Sequence, residues 1–508
     1  VLATSGPGAT NLVTGIATAY MDSVPMVAFT GNVTTDGIGR DSFQEAYIEG
    51  ITMPITKHNF TVRRVEELAD TMRSAFRIAQ SGRKGPVLVD IPKDVTAAVC
   101  EFTPKKPEPI RTVTTFNAEQ VKWAADLINA AQRPLVYFGG GVRSAASCQP
   151  LRDLLKKAEI PATYTLMAAG VVPYGDPMNI GMVGMHGCYT SNRAVADCDV
   201  LIAVGTRFSD RVALNPKTFA KNATIIQIDI DPSELGKNVD IDLSLIGDAS
   251  YVLQAILPHV KEAKHTDWMD QIHAWQAMDY KPVDSDTELK PHQIINEICE
   301  QAGPEAVYVT DVGQHQMWAH QHIGREHARS FLSSGGLGPM GFGFPAAIGA
   351  KFGCPDKQVV CVAGDGSFQM NSQEMATAAI NNTAVKVFLL DNRALGMVHQ
   401  WQKLFYHERY SSTILDPVPD FVKLADAYGW EGERIEKPED VAPAIARMLA
   451  SEKPYLLDVA ISPDQNVYPM VAPGAALDNV IGAIDVTLGA VRVNGKGVGK
   501  KDEKEGEE

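Results

Sequence analysis

The chain has 508 residues, 45% hydrophobic and 21% charged, so it is too long for one core and folds as several domains. Lys and Arg number 46 against 61 Asp and Glu, and the net charge of −15 argues against general binding to nucleic acid or acidic membranes. No apolar run reaches the ~18 residues of a membrane helix, and the seven dispersed cysteines, without a Cys-x-x-Cys pair, read as reduced thiols of a cytoplasmic chain.

The text opens inside an element. Val1–Thr4 reads as the end of a buried strand, followed by the turn Ser5-Gly6-Pro7-Gly8 and a helix, so an upstream segment is expected. The first block, 1–100, holds the strand Pro25–Phe29 and closes on the buried run Gly85–Pro92. Pro104–Pro109 is an extended linker, because its prolines cannot donate to a hydrogen-bond ladder. The second block, 117–262, alternates helical segments with the β-branched runs Pro134–Phe138, Val200–Val204 and Ile225–Ile230. A polar linker around 279–290 leads to the third block, 291–470, with strands at Ala306–Thr310, Val359–Ala363 and Val385–Leu390. The Lys-, Glu- and Gly-rich tail, 490–508, has no periodicity and is expected to be disordered. The pattern predicts three doubly wound α/β domains with parallel sheets.

Chemistry concentrates in the third block. Gly364-Asp365-Gly366-Ser367 follows one buried strand and Asp391-Asn392 follows the next, and loops at carboxyl ends of parallel strands bind ligands. Asp365 and Asn392 offer hard oxygens suited to Mg²⁺, and Gly364 and Gly366 allow close approach of a phosphate. A helix from about Ser372 is expected to aim its positive end at that group.

This pair of motifs resembles the Mg-diphosphate motif of thiamine-diphosphate (ThDP) enzymes. The surrounding text narrows it: Ser5-Gly-Pro-Gly-Ala-Thr-Asn11, Phe43-Gln-Glu-Ala46, Gly85–Asp94, Gly184-Met-His-Gly187, Gly205–Arg211, Gly313–Trp318, Gly341–Ala347 and Gly396–Gln402. From residue 1 to about 470 the chain resembles the acetolactate synthase (acetohydroxyacid synthase) large catalytic subunits. The resemblance implies a pyrimidine-binding domain lacking its N-terminal part, a central FAD-binding Rossmann-like domain and a diphosphate-binding domain. It implies ThDP, Mg²⁺ and FAD, with ThDP held between the first domain of one subunit and the third of another.

Residue by residue, the resemblance makes Asp365, Asn392 and the Ala394 carbonyl the metal ligands, and Gln314, His315, Gly364, Gly366 and Ser367 the diphosphate positions. Met340 matches the apolar wedge that bends ThDP. Gln44 matches a position reaching the reaction centre, Lys93 one lining the substrate channel, and Met397 and Trp401 belong to the substrate pocket. Arg83, Gly139, Gly140, Gly141, His186, Arg207, Arg211, Asp229 and Asp248 stand in FAD-binding contexts. Three departures stand out. Asp391 replaces a usual Asn and is expected to point away from the metal, Pro339 replaces a small residue, and Ser209 replaces a usual Asp. The activating Glu of such enzymes lies upstream of Ser5, in a stretch this text does not contain, and Glu45 and Glu49 are the nearest carboxylates.

The implied reaction is decarboxylation of pyruvate and carboligation to pyruvate or 2-ketobutyrate, giving acetolactate or acetohydroxybutyrate for branched-chain amino-acid synthesis. The implied assembly is a homodimer or homotetramer with a small regulatory subunit. Other readings left open are another ThDP carboligase or decarboxylase (glyoxylate carboligase or pyruvate oxidase type), a flavin or nicotinamide oxidoreductase, and a non-catalytic fragment.

Overall fold

The computed structural model describes residues 1–110 and 112–482, and of the rest only the backbone strands 484–485 and 490–491. The tail expected at 490–508 therefore lies outside the described residues, apart from 490–491.

Runs of buried, mostly β-branched residues form three sheets, each parallel throughout. The first contains β1 (Leu2–Ala3), β2 (Met26–Asn32), β3 (His58–Thr61) and β4 (Pro86–Pro92), in the order β1-β2-β4-β3. The second contains β5 (Pro134–Phe138), β6 (Ala162–Tyr164), β7 (Asn179–Met182), β8 (Val200–Val204), β9 (Thr224–Asp229) and β10 (Leu243–Ile246), ordered β10-β9-β8-β5-β6-β7. The third contains β11 (Val307–Thr310), β12 (Phe331–Leu332), β13 (Val359–Gly364), β14 (Lys386–Asp391), β15 (Glu431–Ile435) and β16 (Tyr455–Ala460), ordered β12-β11-β13-β14-β16-β15. The central strands β5, β8, β13 and β14 are buried at every residue, as expected of sheets covered by helices on both faces.

Local signals set the helices. Asn117 and Gln120 close a capping box on the helix Ala118–Ala130, whose Val121, Ala124, Ala125 and Ile128 turn into the core. Val65–Gln80 carries Glu66 and Glu67 in its first turn and Arg77 in its last, matching the helix dipole. Among the described residues, no helix is long and apolar enough to cross a membrane.

One expectation changes. The strand at Val1–Thr4 is not buried: β1 is an edge strand paired only with β2, and Leu2 is 82% exposed. The helix expected from about Ser372 is present, a 3₁₀ turn Ser372–Glu374 leading directly into the helix Met375–Ile380. The helix at the glycine loop begins directly at Asp365 and ends at Gln369, because Ser367 folds back to accept the Gly364 N–H.

The crossover of β5 and β8 brings two glycine turns face to face. Gly141 donates to the Gly205 carbonyl at 3.0 Å, and a Cβ on Gly205 would sit 2.7 Å from the Gly141 Cα. Gly205 also has φ +57, so glycine is required on both counts. Gly205→Ala should cost about 1–3 kcal/mol and lower the thermal midpoint by several degrees, measured by circular dichroism.

Candidate active site

A cavity of about 1480 Å³ opens where the three sheets meet, and all but two of the candidate residues line it. Its third-sheet wall comes from adjacent strand ends. Because β11, β13 and β14 are neighbours, the segments after Thr310, Gly364 and Asp391 emerge side by side. That register places His315, Asp365 and Asn392 around one point.

The polar groups there are buried and incompletely satisfied. Asp365 is 1% exposed and its Oδ2 has no hydrogen-bond partner. Burial, reinforced by the charge of Asp391, raises its pKa. His315 is packed between Gly313 and Gly364, and its Nε2 is equally unpartnered. Burial drives its pKa down to about 3, so the ring is neutral. Asn392 accepts the Ala394 N–H through Oδ1 at 3.1 Å and donates to the Gln314 Oε1 at 3.2 Å. Gln314 is spoken for on both sides, its amide donating to Gln400 at 2.9 Å and to the Gln465 carbonyl at 3.0 Å. The donor left facing the loop is therefore the imidazole.

Asp391 does not point clear of this loop. It acts on Asp365 while its Oδ2 pairs with Arg434 at 2.7 Å; Arg434 also holds Asp458 at 2.6 Å. One guanidinium thus bridges two buried carboxylates beneath the site and offsets one of their two charges. Met340 reaches over the same loop, its Cε 3.2 Å from where a Cβ on Gly366 would lie. Met397 and Trp401, one helical turn apart on Gly396–Phe405, face the cavity, and Trp401 packs edge-on against Phe405 at 5.5 Å.

Asp311 gives no signal in the sequence beyond standing after a strand. It is fully buried and accepts the N–H groups of Val312 at 2.7 Å, Gly341 at 2.9 Å and Gly343 at 2.7 Å. It therefore ties the start of the His315 segment to the turn carrying Met340.

The second sheet supplies Gly139, Gly140 and Gly141, with Arg207 beyond Gly205. His186 is 8% exposed, and burial lowers its pKa to about 4. Arg83 donates to Ser23 at 2.9 Å and pairs with Glu234 at 2.7 Å, joining the first block to the second. Arg211 pairs with Asp210 at 3.4 Å. Asp248 caps the helix Ala249–Ile256 through Ser250, which is structural work.

Gln44 and Lys93 are the exceptions. Both are exposed and neither lines the cavity of its own chain. The Gln44 loop is nonetheless fixed: Gln44 has φ +59, and its carbonyl lies 2.5 Å from where a Cβ on Gly6 would be. Glu45 is engaged by the backbone N–H of Ser42 at 2.9 Å and Glu49 by the Thr61 hydroxyl at 2.7 Å, so both serve local structure.

Unpartnered buried oxygen and nitrogen at adjacent parallel strand ends leave polar groups available to a ligand at the sheet's carboxyl edge. Family comparison agrees. Residues 1–51, 121–256 and 311–459 match the N-terminal TPP binding, central and C-terminal TPP binding domains of thiamine pyrophosphate enzymes. The chain is 48% identical to the acetolactate synthase of Mycobacterium leprae, over 94% of this chain and 79% of that protein. It is 45% identical to the acetolactate synthase isozyme 2 large subunit of Escherichia coli, over 94% of this chain and 86% of that one. A probable acetolactate synthase large subunit of Methanococcus aeolicus is 44% identical, over 95% and 84%. The chain belongs to the acetolactate synthase large-subunit family of thiamine pyrophosphate enzymes.

Asp229 offers a pH test. Burial raises its pKa from 3.8 to about 6, so the folded state holds the proton more tightly than the unfolded chain. Stability from this group is fully present below about pH 4 and is lost as pH rises through about 6. Asp229→Asn should therefore leave the thermal midpoint near wild type at pH 4. Above pH 6.5 it should gain about 1–3 kcal/mol of stability, read from denaturant titrations at both pH values.

Proposed function

We propose that this chain is the catalytic subunit of an acetolactate synthase, joining the two-carbon unit of pyruvate to a second 2-keto acid. The observation that carries the reading is the unpartnered pair Asp365 Oδ2 and His315 Nε2 beside Asn392 at three neighbouring strand ends. Asp365, the Asn392 amide oxygen and the Ala394 carbonyl would hold Mg²⁺, whose charge would stabilise the buried Asp365 carboxylate. Neutral His315 donates to a diphosphate oxygen without competing for the metal. Bound ThDP supplies the electron sink that lets pyruvate lose CO₂. Met340 supports the cofactor from above Gly366, and Met397 with Trp401 forms the apolar wall that receives the second keto acid and keeps water out. The Gly139–Gly141 turn in the second-sheet part of the cavity would hold FAD, in a structural and not a redox role.

The site is completed by a second copy of the chain. Gln44 and Lys93 lie on an exposed face of the first block, together with Phe43 at 88%, Tyr47 at 70% and Met53 at 59% exposure. The third block exposes apolar side chains of its own, Val398 at 51% on the cavity wall and Met370 at 54%. Joining these two faces in a two-fold dimer buries both and delivers Gln44 and Lys93 to the partner's Met340 and Trp401. Small regulatory subunits are a further expected partner.

Product analysis with mixed pyruvate and 2-ketobutyrate tests the reaction, and acetaldehyde or peracid chemistry in place of acetohydroxy acids would refute it. Trp401→Leu should retain acetolactate formation but lose about tenfold to two-hundredfold of the preference for 2-ketobutyrate, the worth of one methylene in an apolar pocket. An unchanged product ratio would make Trp401 packing alone.

Shared sites predict complementation. Asp365→Ala should lose Mg-dependent ThDP binding by calorimetry, and Lys93→Ala should lose turnover. Equal mixing after dissociation should restore about a quarter of wild-type activity, since half the dimers are mixed and each has one intact site. No recovery in demonstrably mixed dimers would place both residues in one chain's site.

A further inference from the structure

The metal loop has a second carboxylate beside it, and the fold keeps that carboxylate occupied. β13 and β14 end level, with Gly364 opposite Leu390, so Asp365 and Asp391 emerge next to each other. They are 1% and 2% exposed, and the charge of Asp391 acts directly on Asp365. Asp391 also immediately precedes Asn392, so it adjoins two of the proposed metal ligands. An Asn is usual at this position in the family, and this chain carries an additional negative charge there.

Both Asp391 oxygens are engaged. Oδ1 accepts the Arg393 N–H at 3.1 Å, and Oδ2 meets the Arg434 guanidinium at 2.7 Å. Arg434 comes from β15, whose register sets it opposite Asp458 on β16. Asp458 in turn lies opposite Leu389 of β14, and Asp391, two residues on, shares that face of the sheet. The guanidinium thus crosses two strand spacings of about 4.8 Å each to reach β14, and holds Asp458 at 2.6 Å on the way. Neighbouring charges are committed elsewhere. The Arg434 Nε pairs with Glu436 at 2.9 Å, the Arg393 side chain pairs with Asp416 at 3.4 Å, and Asp420 acts on Asp458 with further negative charge. Among the described residues, Arg434 is the one cation paired with Asp391.

Coordination chemistry gives this pairing a consequence. A divalent ion held by one carboxylate, an amide oxygen and a carbonyl keeps a net positive charge for a diphosphate. A second carboxylate would cancel that charge, and affinity for the bare ion rises with the number of charged ligands. Freed from Arg434, Asp391 would be that second carboxylate.

We propose that Arg434 is a positioning residue of the metal loop: it holds Asp391 off the cation, so that the ion binds together with the cofactor diphosphate and not ahead of it. Neither Arg434 nor Asp458 is among the residues that the sequence motifs single out. The inference rests on the Mg²⁺ reading above.

The test measures Mn²⁺ binding to the full apo-chain by electron paramagnetic resonance, with and without ThDP. Arg434→Met is combined with Asp458→Asn, which avoids an unpaired buried carboxylate and leaves the net charge unchanged. A released Asp391 should tighten Mn²⁺ without ThDP about tenfold, whereas loss of packing alone would weaken it. Adding Asp391→Asn to that pair should abolish the gain. Unchanged or weaker Mn²⁺ binding in the folded double variant overturns the proposal, as does a gain that persists without Asp391. If the double variant does not fold, as judged by its thermal midpoint, the charge-neutral pair Asp391→Asn with Arg434→Gln decides. ThDP-dependent Mn²⁺ affinity within about threefold of wild type then supports a carboxylate held off the metal, and a larger loss overturns it. Wild type without ThDP-dependent Mn²⁺ binding would remove the metal reading and this inference together.

Discussion

The oxygen of Asp365 that is buried without a partner governs the rest of this molecule. A carboxylate out of water costs several kcal/mol unless an opposite charge or hydrogen bonds meet it; backbone amides reach the Asp365 carboxyl, but its Oδ2 has no partner among the described residues. Its surroundings are arranged to keep the penalty local. Arg434 bridges Asp391 and Asp458, His315 stays neutral, and Gln314 is locked by Gln400 and Gln465. The loop is therefore preorganised around an unmet acceptor, the position proposed for a divalent ion. Preorganisation of this kind costs stability before binding and spares reorganisation afterward.

Positive charge is distributed by the complementary rule. On the first- and second-block side, Arg83 is saturated by Glu234 and Asp231 and serves as a strut between sheets. Arg143 is fixed by carbonyl oxygens, which orient it without cancelling its charge. Asp248 shows the same point for acids: its carboxylate is consumed by a helix cap although it borders the cavity.

The first block stands apart because its candidate residues face outward. Gln44 and Lys93 are held on a rigid surface, with Gly6 and the positive φ of Gln44 fixing the loop, yet nothing in one chain meets them. An exposed Phe43 beside them costs solubility in a lone subunit and gains burial in a dimer. Catalysis and assembly are thus expected to be one event in this design.

The sequence by itself determined much of this protein. Buried runs such as Val359–Ala363 and Val385–Leu390 specify parallel strands, because only a sheet covered on both faces hides such continuous apolar text. Gly-Asp-Gly and Asp-Asn at their ends were legible for the same reason: polar residues that follow a fully buried run must emerge together at the sheet's carboxyl edge. Short strands such as Ala162–Tyr164, Asn179–Met182 and Phe331–Leu332 were not legible, since two to four residues carry no period. Asp311, Arg143 and Arg434 likewise have no local signature. Their roles depend on which backbone amides, carbonyls and charges the fold brings to them across the chain. Local pattern records burial and strand ends, whereas the pairing of distant polar groups is settled only when the three sheets close on one cavity.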